Sequence, residues 1–314
     1  MKVGIIAAGA MGKKHLESWR ALGVPVAGVY ARNIEKARAL AAPYNVPTYD
    51  SIASLLAEVE VADICLPTFL HQEVVEQAAQ AGCQIVCEKP LALDLAGGEA
   101  IFQACDAANV RFFLAMVVRF FPPYRAAWEA VRSGSLGTIE EIALKRIVNT
   151  PLVDKPWFGD KTLSGGVILD LMIHDIDYAL WVGGPAVKVD ARFEQNGLSE
   201  SAYLTLEHAG GATSKIEGGW LESATGLETA IHLAGSSGRL DIAPGVPFPF
   251  PNLPAKDPYV EQLRHFQTSL ENSTPFEVTR QEALHALRVA TAAQESSRQG
   301  RPVTLTSDSA SVRG

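Results

Sequence analysis

The chain has 314 residues, 47% of them hydrophobic, and a formal net charge of −8. Its length and apolar content can supply cores for two domains of ordinary size. The acidic balance argues against a sequence-independent grip on nucleic acid, which needs a basic face to neutralise phosphates, and points to a small-molecule ligand.

The first apolar stretch, residues 3–12, is interrupted by Lys13-Lys14 and runs into the amphipathic segment 15–19 with no small-residue cleavage site. It therefore reads as a strand and a helix rather than a secretion signal. No run approaches the roughly 18 apolar residues of a membrane span, so a soluble, cytoplasmic protein is expected. Cys65, Cys83, Cys87 and Cys105 all fall in the first third, inside or beside apolar runs. Buried, reduced thiols are expected, and the Cys83/Cys87 spacing does not make a CxxC pair.

Up to about residue 120, short apolar runs alternate with amphipathic ones. Strands are predicted over 3–8, 24–30, 61–66, 84–87 and 111–118, with helices over 10–22, 33–42, 71–81 and 95–109. Buried strands alternating with helices make a parallel, doubly wound α/β sheet. After Pro122-Pro123 the pattern changes to one helix over 124–133 and then strands over 139–148, 187–194, 202–208, 213–220 and 229–234. Gly210-Gly211 and Ser236-Ser237-Gly238 supply turn signals, which predicts an α+β domain with a large, mostly antiparallel open sheet. The expected domains are 1–121 and 122–314. Residues 244–258 hold six prolines, which forbid regular ladder pairing and make either a surface connection or a lid. Two helices follow, with Val260, Leu263, Phe266 and Leu270 on one face and Ala283, Leu284, Leu287 and Ala290 on another.

Gly9, Ala10, Met11 and Gly12 lie between the first strand and the first helix, where a glycine-rich turn brings backbone N–H groups and a helix dipole against a pyrophosphate. Ala7 stands where the fingerprint has its first glycine. At the end of the second strand, where an acidic residue would bind the ribose 2′-OH of NAD, the chain has Ala31, Arg32 and Asn33. Losing the carboxylate removes repulsion against a 2′-phosphate, and a guanidinium can pair with it, so NADP is expected in preference to NAD. The other reading of Arg32 is a solvated residue at a helix start.

Cys87-Glu88-Lys89-Pro90 closes the strand at 84–87 and puts Lys89 at the carboxyl edge of the sheet, where ligands bind in open α/β folds. Farther on, Gly165 to Asp177 reads as one helix with Asp170, His174 and Asp177 on one face. A carboxylate one turn from an imidazole suits a general acid or base; a surface ion-pair cluster is the plainer alternative. No further His or Cys cluster completes a metal site. Trp157 and Phe158 either stack on a substrate or belong to the core.

These motifs, with Pro67-Thr68-Phe69-Leu70-His71, Arg119-Phe120 and the closing helix before Arg301-Pro302-Val303, resemble the Gfo/Idh/MocA family of oxidoreductases over nearly the whole chain. The resemblance implies a Rossmann-like first domain and a sugar, cyclic polyol or related carbonyl substrate. It assigns substrate binding and catalysis to Lys89, Asp170 and His174, and cofactor contacts to Pro67, Thr68, His71, Glu88 and Arg119. Two further readings remain open: a dinucleotide- and sugar-binding sensor without turnover, and a glycosidase that uses NAD transiently. Related proteins cover the second face of the open sheet with another subunit, so a homo-oligomer, dimer or tetramer, is expected.

Overall fold

The structure is a computed structural model that describes residues 1–250 and 253–305. Residues 251–252 of the proline-rich loop, and 306–314 at the end of the second expected domain, lie outside the described residues. Packing divides the chain into two compact units. One comprises Met1–Pro122, Thr162–Ser164 and Pro254–Leu287; the other comprises Pro123–Lys161, Gly165–Leu253 and the chain from Arg288 onward.

The first unit is built on β1 (Val3–Ile6), β2 (Val26–Tyr30), β3 (Thr48–Tyr49), β4 (Val61–Ile64), β5 (Gln84–Glu88) and β6 (Phe112–Ala115), in the order β3-β2-β1-β4-β5-β6. Every pairing is parallel. All four residues of β1 and of β4 are buried, as befits strands with helices on both faces. The order reverses between β1 and β4, and ligands of such sheets bind at the carboxyl ends beside that reversal. The sequence reading omits β3 and the helix Ile52–Leu56, which are too short to show a period. It also runs the fifth predicted strand to residue 118, whereas β6 stops at Ala115 and Val117–Phe120 turns as a 3₁₀ helix.

The helix Pro258–Glu271 packs on this sheet. Leu263 and Phe266 are fully buried, Phe266 meets Trp19 edge-on at 6.0 Å and Phe113 at 5.8 Å, and Phe276 meets Phe113 at 5.3 Å. Burying such rings stabilises the unit by about 1.5–3 kcal/mol each, which is why residues 254–287 join the first sheet although they follow the second in sequence.

The second unit holds β7 (Ile139–Asn149), β8 (Ala186–Asn196), β9 (Ser199–His208), β10 (Thr213–Leu221), β11 (Glu228–Gly235), β12 (Gly238–Ile242) and β13 (Val303–Thr304), in the order β12-β11-β7-β10-β9-β8-β13. The sheet is mostly antiparallel, but β7 and β10 run parallel at its centre. Burial alternates along the strands: in β9, Ala202, Leu204 and Leu206 are buried while Tyr203, Thr205 and Glu207 are exposed. The outer face carries cross-strand ion pairs, Lys215–Glu141 at 2.8 Å and Lys188–Glu207 at 2.7 Å. Exposed pairs of this kind contribute about 0–1 kcal/mol each, so the stability of the sheet comes from its inner face. All four cysteines are free. Among the described residues, no helix is long and apolar enough to cross a membrane.

Candidate functional site

At the end of β1 the chain turns through Ala7, Ala8 and Gly9 into the helix Ala10–Ala21. Gly9 caps this helix with no side-chain hydrogen bond, and its first turn carries no acidic residue. The leading N–H groups of Ala10, Met11 and Gly12 thus offer an anion site without a competing carboxylate. A Cβ on Gly9 would meet nothing within 4 Å, so the turn is open above that residue. A Cβ on Gly12 would lie 2.3 Å from the Ala7 carbonyl oxygen, which makes glycine there a packing requirement. Ala7 itself has φ 139°, a conformation that costs an L-residue about 1–3 kcal/mol. The backbone keeps a glycine-like turn where the sequence lacks the glycine, and the cradle fits a dinucleotide diphosphate.

At the end of β2, Ala31 is half-buried and Arg32 and Asn33 are exposed. Asn33 Oδ1 accepts from the N–H groups of Glu35 and Lys36 at 3.0 and 3.3 Å, capping the helix Ile34–Ala41. Its oxygen therefore serves the helix, and Arg32 beside it is exposed.

β5 ends at Glu88, and Lys89 follows, half-buried, before a cis peptide to Pro90. His71 is fully buried, with Nδ1 2.8 Å from the Pro90 oxygen and Nε2 2.9 Å from the Leu66 oxygen. Burial lowers its pKa against the pull of those carbonyls, and a neutral ring has one N–H to give. His71 fills the space between the chain leaving β4 and the Lys89-Pro90 turn, and its one N–H donates to one of the two carbonyls. Thr68 is buried in the 3₁₀ turn Thr68–Leu70, and Pro67 is half-buried before it. Arg119, 1% exposed, donates to the Glu277 oxygen at 3.0 Å and to Glu282 at 3.2 Å, tying the end of β6 to the segment that follows the helix Pro258–Glu271. Glu88 is 5% exposed, and its Oε1 lies 3.0 Å from His15 Nε2.

In the second unit, the single helix expected from Gly165 to Asp177 is corrected to two, Gly166–Asp170 and Ile173–Gly183. Both Leu171 N and Met172 N donate to the Val167 oxygen, and both Asp175 N and Ile176 N donate to the Met172 oxygen. The first pair includes a bond one residue longer than the helical repeat and the second a bond one residue shorter, so the repeat is broken between the two helices. Asp170 and His174 are half-buried and fall on different helices, while Asp177, one turn after His174 in the second, is 2% exposed. Asp175 is fully buried, and Arg146 of β7 grips it with two hydrogen bonds, 2.6 Å from Nε and 3.1 Å from Nη2, while Nη2 also reaches Tyr124 at 3.0 Å. Burial lifts the Asp175 carboxyl above the usual range despite the guanidinium. Trp157 is half-buried, 4.0 Å from Phe158, and Phe158 meets Trp220 edge-on at 5.6 Å.

The sequence reading missed His15, Asp63, Arg146 and Asp175. A visible signal existed for each: an ionisable residue inside an otherwise apolar strand for Asp63, on the buried phase of an alternating strand for Arg146, and on the buried stripe of a helix for His15 and Asp175.

Two family models match the chain, "Oxidoreductase family, NAD-binding Rossmann fold" over residues 1–116 and "GFO/IDH/MocA C-terminal domain" over residues 124–241. An inositol 2-dehydrogenase of Rhizobium meliloti is 26% identical over 337 aligned positions, covering 97% of this chain and 99% of that one. A UDP-N-acetylglucosamine 3-dehydrogenase of Acidithiobacillus ferrooxidans is 31% identical over 192 positions, 61% of this chain and 57% of that one. Among solved structures, the WlbA dehydrogenase of Bordetella pertussis, in complex with NADH and UDP-GlcNAcA, shares the fold at a TM-score of 0.86 and 22% identity, covering 98% of each chain.

Proposed function

The chain belongs to the Gfo/Idh/MocA family of NAD-binding oxidoreductases, and from that premise we propose that it transfers a hydride between NAD(P) and one CH–OH carbon of a sugar, cyclic polyol or related carbonyl compound. The observation that carries this reading is the carboxyl edge of the first sheet, where an uncapped helix start behind an open glycine turn accompanies Lys89 at the end of β5. The names of relatives, an inositol and a nucleotide-sugar dehydrogenase, support the substrate class.

In this reading residues 1–121, with Pro254–Leu287 packed on them, carry the dinucleotide, and the remainder of 122–314 the substrate and subunit contacts. Bound nicotinamide supplies the hydride acceptor in the oxidation direction. His174 takes the hydroxyl proton, Lys89 hydrogen-bonds the same oxygen and offsets its developing negative charge, and Asp170 orients the imidazole. Trp157 offers an aromatic face to the apolar side of a sugar ring. The free thiols suit a reducing compartment, and the proposal places the enzyme in the cytoplasm.

Arg32 next to Ala31 supports NADP as the preferred cofactor. Hydrogen bonds to charged groups contribute about 1.5–3 kcal/mol, so Arg32→Ser raises KM for NADP by roughly tenfold to a hundredfold and leaves KM for NAD little changed. Initial rates with both cofactors check this; equal or better use of NAD by the wild type defeats the assignment. The outer face of the second sheet, on which Tyr203 of β9 is exposed, supports a dimer or tetramer. Light scattering at micromolar concentration is expected to give a multiple of the chain mass, and a monomer counts against it.

A further inference from the structure

We propose that His15, held as an imidazolium between Asp63 and Glu88, is a positioning residue that locks the Lys89 turn to the helix carrying the dinucleotide turn; this rests on the function proposed above. The ring is fully buried. Nδ1 lies 2.9 and 3.0 Å from the two oxygens of Asp63, and Nε2 lies 3.0 Å from Glu88 Oε1. A neutral imidazole has a single N–H and can serve only one of two carboxylates; carboxylates at both ends call for protons on both nitrogens.

The surroundings agree with that charge. From its own helix, Trp19 Nε1 donates to Asp63 Oδ2 at 2.6 Å, and from the end of β4 the Cys65 thiol donates to Oδ1 at 3.4 Å. Lys14, next in the chain, turns away to Asp257 at 2.6 Å. From the helix Pro258–Glu271, the Tyr259 ring stands edge-on at 6.3 Å, and the Gln262 carboxamide lies 3.5 Å from His15 Nε2. Gln262 Oε1 is buried with no hydrogen-bond partner. The nearer atom is Gln262 Nε2, and a half-turn of the carboxamide brings the orphaned oxygen instead to the Nε2–H that Glu88 also accepts. Burial is the largest single influence and opposes the charged ring, but the charge and hydrogen bond of Asp63, with the contribution of Cys65, together outweigh it and hold the His15 pKa well above 6.5.

Glu88 completes the linkage, because its second oxygen accepts the Lys89 backbone N–H at 3.1 Å. A continuous set of bonds thus runs from the helix Ala10–Ala21 through His15 and Glu88 to the residue assigned to the chemistry. His15, Asp63 and Cys65 also resemble a metal-ligand trio, with ligand atoms within 4.8 Å of one another. Burial keeps the Cys65 thiol protonated, and both Asp63 oxygens already accept N–H bonds, so a proton does the bridging.

The test begins with the wild-type protein carrying ¹⁵N-labelled histidine, without cofactor or substrate, with the His15 signal assigned by its loss in His15→Gln. Both ring nitrogens are expected to stay protonated above pH 7; a non-protonated ring nitrogen at that pH overturns the proposal. A raised folded pKa gives stability that is fully present below the unfolded value near 6.5 and is lost as pH rises through the folded value. The stability advantage of wild type over His15→Gln therefore shrinks as pH is raised from 6.5, and a flat difference counts against the charge. In turnover, His15→Gln and the shape-preserving Asp63→Asn each lower kcat by about 10²-fold through misplacement of Lys89; undiminished kcat in the folded variants removes the positioning role. The charge state is read without turnover, so a failure of His174→Ala to impair activity would defeat the proposed reaction and leave this result separately legible.

Discussion

Alanine in place of His174 lowers kcat by about 10² to 10⁴, the usual contribution of a positioned acid or base. Lys89→Ala removes a donor aimed at developing negative charge and lowers kcat by about 10² to 10³. Neither change touches the helix start proposed to hold the dinucleotide phosphates, so cofactor affinity, followed by fluorescence titration, is expected to stay near wild type. That separation distinguishes lost chemistry from lost binding: a drop in kcat/KM carried by kcat alone marks an interaction made in the transition state. Near-normal turnover in either variant removes the corresponding role.

The second large effect is on stability. Arg146→Met keeps an apolar stem of similar length but leaves Asp175 as a buried carboxylate without its guanidinium, at a cost of about 3–5 kcal/mol. Burial already lifts the Asp175 carboxyl, and without Arg146 only a backbone hydrogen bond opposes that lift, so the loss is greatest at neutral pH and smaller in acid, where the carboxyl takes up a proton. Replacing both partners, Arg146→Met with Asp175→Leu, recovers most of the loss. Denaturant midpoints at two pH values read all three variants. Equal stability of Arg146→Met and wild type would mean that the two-bond grip contributes nothing net. Because Asp175 follows His174 directly, the same variant is expected to lower kcat as well as the midpoint.

Periodicity carried the first sheet well, because helices on both faces make its strands continuous apolar words such as Val3–Ile6 and its crossovers long enough to show a helical period. It failed for β3 and for the helix Ile52–Leu56, which are shorter than the window in which a period can be seen. The stretch from Gly165 to Asp177 misled for a different reason. Leu171 and Met172 have helical backbone angles and helix-compatible side chains, so nothing in the letters announces the break in the repeat between Asp170 and Ile173. At the dinucleotide turn the opposite holds: the letters depart from the glycine fingerprint at Ala7, and the backbone does not. The buried charges were legible only as oddities, Asp63 within Val61–Ile64 and Arg146 within β7, because a sequence does not say which partner across the core neutralises them.

The aromatic wedge of Phe266 and Phe276 has a consequence for biosynthesis. A growing chain completes all six strands of the first sheet long before the ribosome delivers the helix that seals Trp19 and Phe113. For that interval the nascent protein carries an unsealed hydrophobic groove, which makes it a client for chaperones. A fragment ending at Pro122 retains the groove permanently and aggregates.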